Sequence, residues 1–159
     1  MVERLRSLVW YAFLLALFMV LYHVGSSYTL VVVDDDLTYM QPTLRGGAIH
    51  LLNRRRAAVK SLEPDDLIVF RVLGANKELN RMFGRVLAVP KMTVSVREGR
   101  LLVNGDDAAA LPPELSLVGG VIVPRDTVFV VFDASSAPRL SLARRLVPYR
   151  NIIGRLRRK

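Results

Sequence analysis

The chain has 159 residues, 52% of them hydrophobic, and a formal net charge of +9. That is enough for one globular domain with an appendage and too apolar for global disorder. There is no cysteine, which excludes thiol catalysis, disulfides and Cys-ligated metal, and His23 and His50 alone are too few for an imidazole-rich metal site. No cofactor is expected.

Arg4 and Arg6 precede LVWYAFLLALFMVLYHVG, residues 8 to 25. This is close to the roughly twenty residues a helix needs to cross a hydrocarbon core. Trp10, Tyr11, Tyr22 and His23 stand near its ends as interfacial anchors do, and it lacks the polar stripe of a core helix. Gly25-Ser26-Ser27 could serve a cleavable signal peptide. However, the run is longer than a signal core and no Ala-x-Ala follows. The expectation is an uncleaved single-pass anchor over residues 1–27, N-terminus cytoplasmic, with residues 28–159 as an extracytoplasmic domain at the cell membrane. An oxidising exterior suits a chain without free thiols.

Beyond the anchor the pattern becomes short β-rich runs between turn residues. Strands are predicted over Tyr28–Val33, Ala48–Asn53, Leu67–Leu73, Gly84–Val89, Thr93–Arg97, Leu101–Val103 and Thr127–Phe132, with a closing strand at Asn151–Gly154. Glu98-Gly99 is read as a hairpin turn, and Asp107–Pro113 as a loop marked by its paired prolines. The predicted fold is mainly β, a barrel-like domain behind one transmembrane helix.

Basic residues cluster at Arg54-Arg55-Arg56, Arg144-Arg145 and Arg155–Lys159. No aromatic ladder interleaves with them, so nucleic acid is not an expected partner. A solvated basic face and contact with lipid headgroups both fit.

Five stretches stand, in order, as they do in a known family of proteins. Met40-Gln41-Pro42-Thr43-Leu44 is similar to the Met-x-Pro-Thr-Leu that follows that family's nucleophile. Asp65-Asp66-Leu67-Ile68-Val69-Phe70 resembles its Gly-Asp-Ile-Val-Val-Phe strand, and Arg85-Val86-Leu87-Ala88-Val89-Pro90 its Arg-Val-Ile-Gly-Leu-Pro strand. Leu102-Val103-Asn104-Gly105 and Val123-Pro124 match later segments. The chain thus resembles the bacterial type I signal peptidases, and the resemblance implies a membrane-anchored protease with a Ser–Lys dyad, a signal-peptidase-like β-barrel and an extended peptide substrate.

The departures fall on the chemistry. Tyr39 stands at the family's serine and Gly84 at its lysine, so no catalytic dyad is intact. A phenol is bulkier, displaced and a better leaving group than a serine hydroxyl, and glycine accepts no proton. Met40, Pro42, Arg85, Asp133 and Ser141 match supporting or peptide-cleft positions, whereas Leu140 and Leu142 replace a charged pair. Lys91-Met92 replaces a Gly-Asp.

Relocated chemistry is the alternative: a hydroxyl of Thr38, Thr43 or Ser141 with Lys60, Lys77 or Lys91 as base. On an extended strand Thr38 points away from the Tyr39 side. Asp34-Asp35-Asp36 could bind a hard cation, pair with the Arg54 cluster or form a solvated loop, and Tyr39 could pack over the vacated pocket. The leading expectation is a non-catalytic signal peptidase homologue acting as a peptide-binding scaffold, chaperone or assembly accessory for secreted or pilin-like proteins. The second is an active serine endopeptidase with a moved site. A basic module for headgroups or an anionic polymer is the third.

Overall fold

The computed structural model describes residues 2–35, 37–74, 78–110, 120–134 and 141–156. The chain begins with α1 (Val2–Ser27). Its segment Val9–Ser27 is long and apolar enough to cross a membrane, and its most apolar eighteen-residue stretch is not buried against the rest of the protein. Without a polar stripe, such a helix has no face to turn toward water or toward a core.

Eleven strands follow among the described residues: β1 (Tyr28–Val32), β2 (Ile49–Asn53), β3 (Leu67–Leu73), β4 (Leu79–Ala88), β5 (Thr93–Arg97), β6 (Arg100–Val103), β7 (Asp106–Ala110), β8 (Val121–Ile122), β9 (Thr127–Val131), β10 (Leu146–Pro148) and β11 (Ile152–Leu156). Two short helices, α2 (Arg56–Lys60) and α3 (Leu142–Arg145), interrupt them. The strands form two open antiparallel sheets, one of seven in the order β1-β2-β11-β3-β4-β9-β10 and one of four in the order β7-β6-β5-β8. The expected barrel is therefore corrected: β1 and β10 end the larger sheet without pairing to each other.

The sheets form because the apolar runs have a period of two. In β4, Met82 and Val86 pack with Phe70 of β3 and Val130 of β9 in one core cluster, while Phe83 turns to a second cluster with Val31, Leu52 and Val69. β9 is buried at every position, as a central strand covered on both faces must be. Two tight hairpins set the smaller sheet. Glu98 and Gly99 (φ +51° and +74°) join β5 to β6 as expected, and Asn104 and Gly105 (φ +54° and +97°) join β6 to β7. Both central residues of such a turn need positive φ, which Gly and Asn adopt cheaply.

Two further expectations are corrected. Asp107–Ala110 belongs to β7 and is not a loop, because the Asn-Gly turn folds it back on β6. Residues 111–113 of that stretch lie outside the described residues. β4 begins at Leu79, five residues before the predicted start, because Leu79–Phe83 pairs with Val69–Leu73 despite its polar content.

Candidate functional site

The stretch quoted for the resemblance folds as a turn. Thr38–Met40 is a single 3-10 turn, so the extended strand assumed for Thr38 is corrected. At about three residues per turn, successive side chains spread around the axis. Thr38 is exposed, Tyr39 half-buried and Met40 fully buried in the second core cluster. Met40 anchors the turn, and its carbonyl accepts from the Leu44 amide at 2.9 Å. Pro42, after a cis peptide bond, is exposed.

Tyr39 packs against both of the first two clusters. Its ring meets Phe132 edge to face, with centroids 5.2 Å apart and planes at 81°. The guanidinium of buried Arg145 lies over the other ring of this pair, Phe132, at 5.4 Å. The phenol oxygen accepts a long hydrogen bond from the Phe83 amide at 3.4 Å, and the Tyr39 carbonyl accepts from Ala134 at 3.0 Å. Burial pushes the phenol's pKa up; the Phe83 bond opposes this, and the charge of Asp34 adds to it. A phenol held protonated and used as an acceptor is a packing group, poorly suited to attack a carbonyl.

Gly84 lies opposite Ile68 in the β3–β4 ladder. A Cβ there would stand 2.3 Å from Val130 Cγ1 and 3.0 Å from Phe70 Cε1. No rotamer at position 84 relieves a clash at its first side-chain atom, so Val130 or Phe70 would have to shift. The place where the resemblance implies a lysine is thus occupied by two neighbouring side chains.

One residue on, strand alternation turns Arg85 to the opposite side, into a polar cluster. Its Nε and Nη2 donate to the two carboxylate oxygens of Asp133 at 2.7 and 2.6 Å, a bidentate fork. Nη2 also donates to the Thr43 hydroxyl at 2.8 Å, and Nη1 to Asp65. For Asp133, burial alone would raise the carboxyl's pKa; hydrogen bonds from Arg85 and Thr43 outweigh it and hold the group below the usual carboxylate range. The Asp133 contact, ahead of the opposing effect of burial, drives the Arg85 pKa upward. Arg85 is a permanent cation and cannot act as a base.

The remaining candidates disperse. Ser141 is exposed, and its carbonyl accepts from the Arg144 and Arg145 amides at the start of α3. Lys60 and Lys91 are exposed; Lys77, Leu140 and Asp36 lie outside the described residues, as does the side chain of Leu142. No cluster of metal-ligating side chains occurs among the described residues. Asp35 packs by its backbone against Gly46 and, among the described residues, makes no ion pair with the Arg54 cluster.

Sequence reasoning singled out Tyr39, Gly84, Arg85 and Asp133 but missed what surrounds them. Val130, Phe70 and Phe132 looked like ordinary core, and Thr43 was weighed as a nucleophile when its hydroxyl is a partner of Arg85. Asp65 was visible only as the first residue of a quoted motif. With this geometry in place, comparison with known proteins gives one family: the model described as signal peptidase, peptidase S26, matches residues 5–158. No curated protein matches the chain.

Proposed function

The chain belongs to the peptidase S26 signal peptidase family, and on that premise we propose that it is a membrane-anchored member that binds extended segments of secreted proteins without cutting them. The observation that carries this reading is the occupied space at Gly84, where Val130 and Phe70 stand in the place of a general base. Tyr39, protonated and packed on Phe132, supports it from the other half of the site. Nucleophilic hydrolysis needs a hydroxyl within hydrogen-bond reach of a base. Thr43, one of the candidate hydroxyls for a relocated site, is bonded to a guanidinium.

Binding asks for less. β1 ends the larger sheet, so its outer backbone groups lack a partner strand among the described residues, and Leu30 and Val32 beside them are exposed. An extended peptide adding to this edge would gain backbone hydrogen bonds, with side-chain selection by the flanking apolar surface. The edge begins directly after α1, where a translocating or membrane-released segment first meets the domain. With Arg4 and Arg6 holding the N-terminus in the cytoplasm, the domain faces outward. A scaffold, chaperone or assembly role for secreted or pilin-like proteins follows.

The test is a preprotein-cleavage assay with the full chain in detergent, paired with photo-crosslinking of an extended signal-peptide probe. The expected result is no cleavage by the wild type and crosslinks at β1. Cleavage abolished by a single substitution at Thr38, Thr43 or Ser141 would replace this reading with a relocated protease.

A further inference from the structure

The end of the larger sheet nearest α1 carries a basic groove that borders the β1 edge at Leu30. The antiparallel registers bring the exit of α1, the end of β2, the start of β11 and the β3–β4 hairpin tip to that same end. The amide of Arg54 donates to the carbonyl of Ser27, the last residue of α1, at 2.9 Å. Whatever lies level with Arg54 is therefore level with the membrane exit.

Along β3 and β4, the face that carries the buried pair Val69 and Phe83 continues outward as Arg71 opposite Arg81, then Leu73 opposite Leu79. Like charges directly opposed across a strand pair are destabilising, and these stand where the alternation calls for apolar residues. The leucines beyond them are 54% and 65% exposed. Arg54, Arg71 and Arg81 line a groove of about 440 Å³ whose floor includes Leu52 and Val69, and among the described residues no acidic side chain lines it. Two guanidinium groups facing one groove are suited to share the oxygens of a phosphate between them. Exposed leucines outermost and arginines one step inward repeat the order of acyl chain and headgroup at a membrane interface.

We infer that this groove holds the headgroup phosphate of an anionic phospholipid in the leaflet that α1 leaves, with Leu73 and Leu79 seated among the acyl chains. The bound phosphate relieves the repulsion between Arg71 and Arg81 and fixes the domain's orientation on the bilayer. This inference depends on α1 as a membrane span and not on whether the protein cuts or binds peptides.

The natural chain has no cysteine, so Leu73→Cys gives a unique site for a polarity-sensitive dye. The full chain is reconstituted in nanodiscs of phosphatidylcholine with increasing fractions of phosphatidylglycerol. The dye is expected to move into an apolar environment as phosphatidylglycerol rises. Arg71→Gln and Arg81→Gln should each raise the fraction needed for half the shift about fivefold, the worth of one basic residue at an anionic surface. Arg97→Gln, which removes the same charge from the smaller sheet, should leave it unchanged. Equal emission with and without phosphatidylglycerol, or an equal effect of Arg97→Gln, would overturn the site. Reversal of the shift by soluble glycerol phosphate would overturn the lipid source in favour of a free phosphate ligand. In phosphatidylcholine alone, Arg71→Gln should hold or raise the thermal midpoint; a fall would mean that the arginine serves the fold and not a ligand.

Discussion

Gly84 and Arg85 are adjacent in sequence and stand in opposite environments. On one side of β4, Gly84 faces Val130 and Phe70, and apolar atoms close the space that a side chain there would need. On the other, Arg85 keeps a fork to Asp133 and further bonds to Thr43 and Asp65. The period-two alternation of a strand separates the two environments, so one can be rebuilt without touching the other. A polar network that fastens β4 to the loops before β3 and after β9 has a structural use independent of chemistry. A lysine buried beside a missing nucleophile has only a desolvation cost.

The sharpest way to break this comparison is Gly84→Lys. Overpacking against Val130 and burial of an ammonium without its partner should cost about 3–5 kcal/mol in chemical unfolding, with part recovered by adding Val130→Ala. For the same reason Tyr39→Ser with Gly84→Lys should restore no cleavage unless Val130 is also reduced.

On the polar side, Asp133→Asn should cost about 2–3 kcal/mol. This is less than a fully buried pair, because the Arg85 side chain is 24% exposed and can find water. The pH dependence follows from the sign of the shift. The folded carboxyl lies below its unfolded value near 4, so its contribution is complete above that value and is lost as pH falls through the folded one. Asp133→Asn should flatten that acid limb.

Tyr39→Phe should cost less, about 0.5–1 kcal/mol, since it removes only a long hydrogen bond and leaves the Phe132 contact. The Tyr39 phenol is raised in the fold, so its stabilisation holds below the unfolded value near 10 and declines as pH rises beyond it. Tyr149, raised by burial and by Asp126, adds to the same limb, so Tyr39→Phe should shallow it without abolishing it. The smallest effect is expected for Asp65→Ala, under about 1 kcal/mol, because that carboxylate is 61% exposed.

Much of this molecule was legible in its sequence. LIVFRVL became β3 residue for residue, and Glu98-Gly99 became a turn, because alternation and positive-φ residues are local signals. The Asn104-Gly105 turn carried an equally strong signal, yet the prolines downstream led to a loop reading of what is β7. Leu79–Phe83 escaped because half of a hairpin's outer end can be polar, and only the register with β3 reveals it. Tyr39 and Gly84, at the positions where the resemblance implies a serine and a lysine, were visible as two residue identities. That Val130 and Phe70 crowd Gly84 was not, since two apolar residues distant in sequence meet only through sheet order. The opposed arginines at 71 and 81 were hidden for the same reason.

The central claim is that the lysine's place is physically filled, and a double-mutant cycle between positions 84 and 130 measures it most directly. Gly84 has ordinary strand φ, so Gly84→Ala introduces no backbone strain and reads the contacts with Val130, the nearest, and Phe70. The prediction is that Gly84→Ala destabilises the wild type but is neutral or stabilising in a Val130→Ala background, with a coupling of about 1–3 kcal/mol. An alanine at 84 tolerated equally in both backgrounds would mean that the space is open, and that the site could still admit a base.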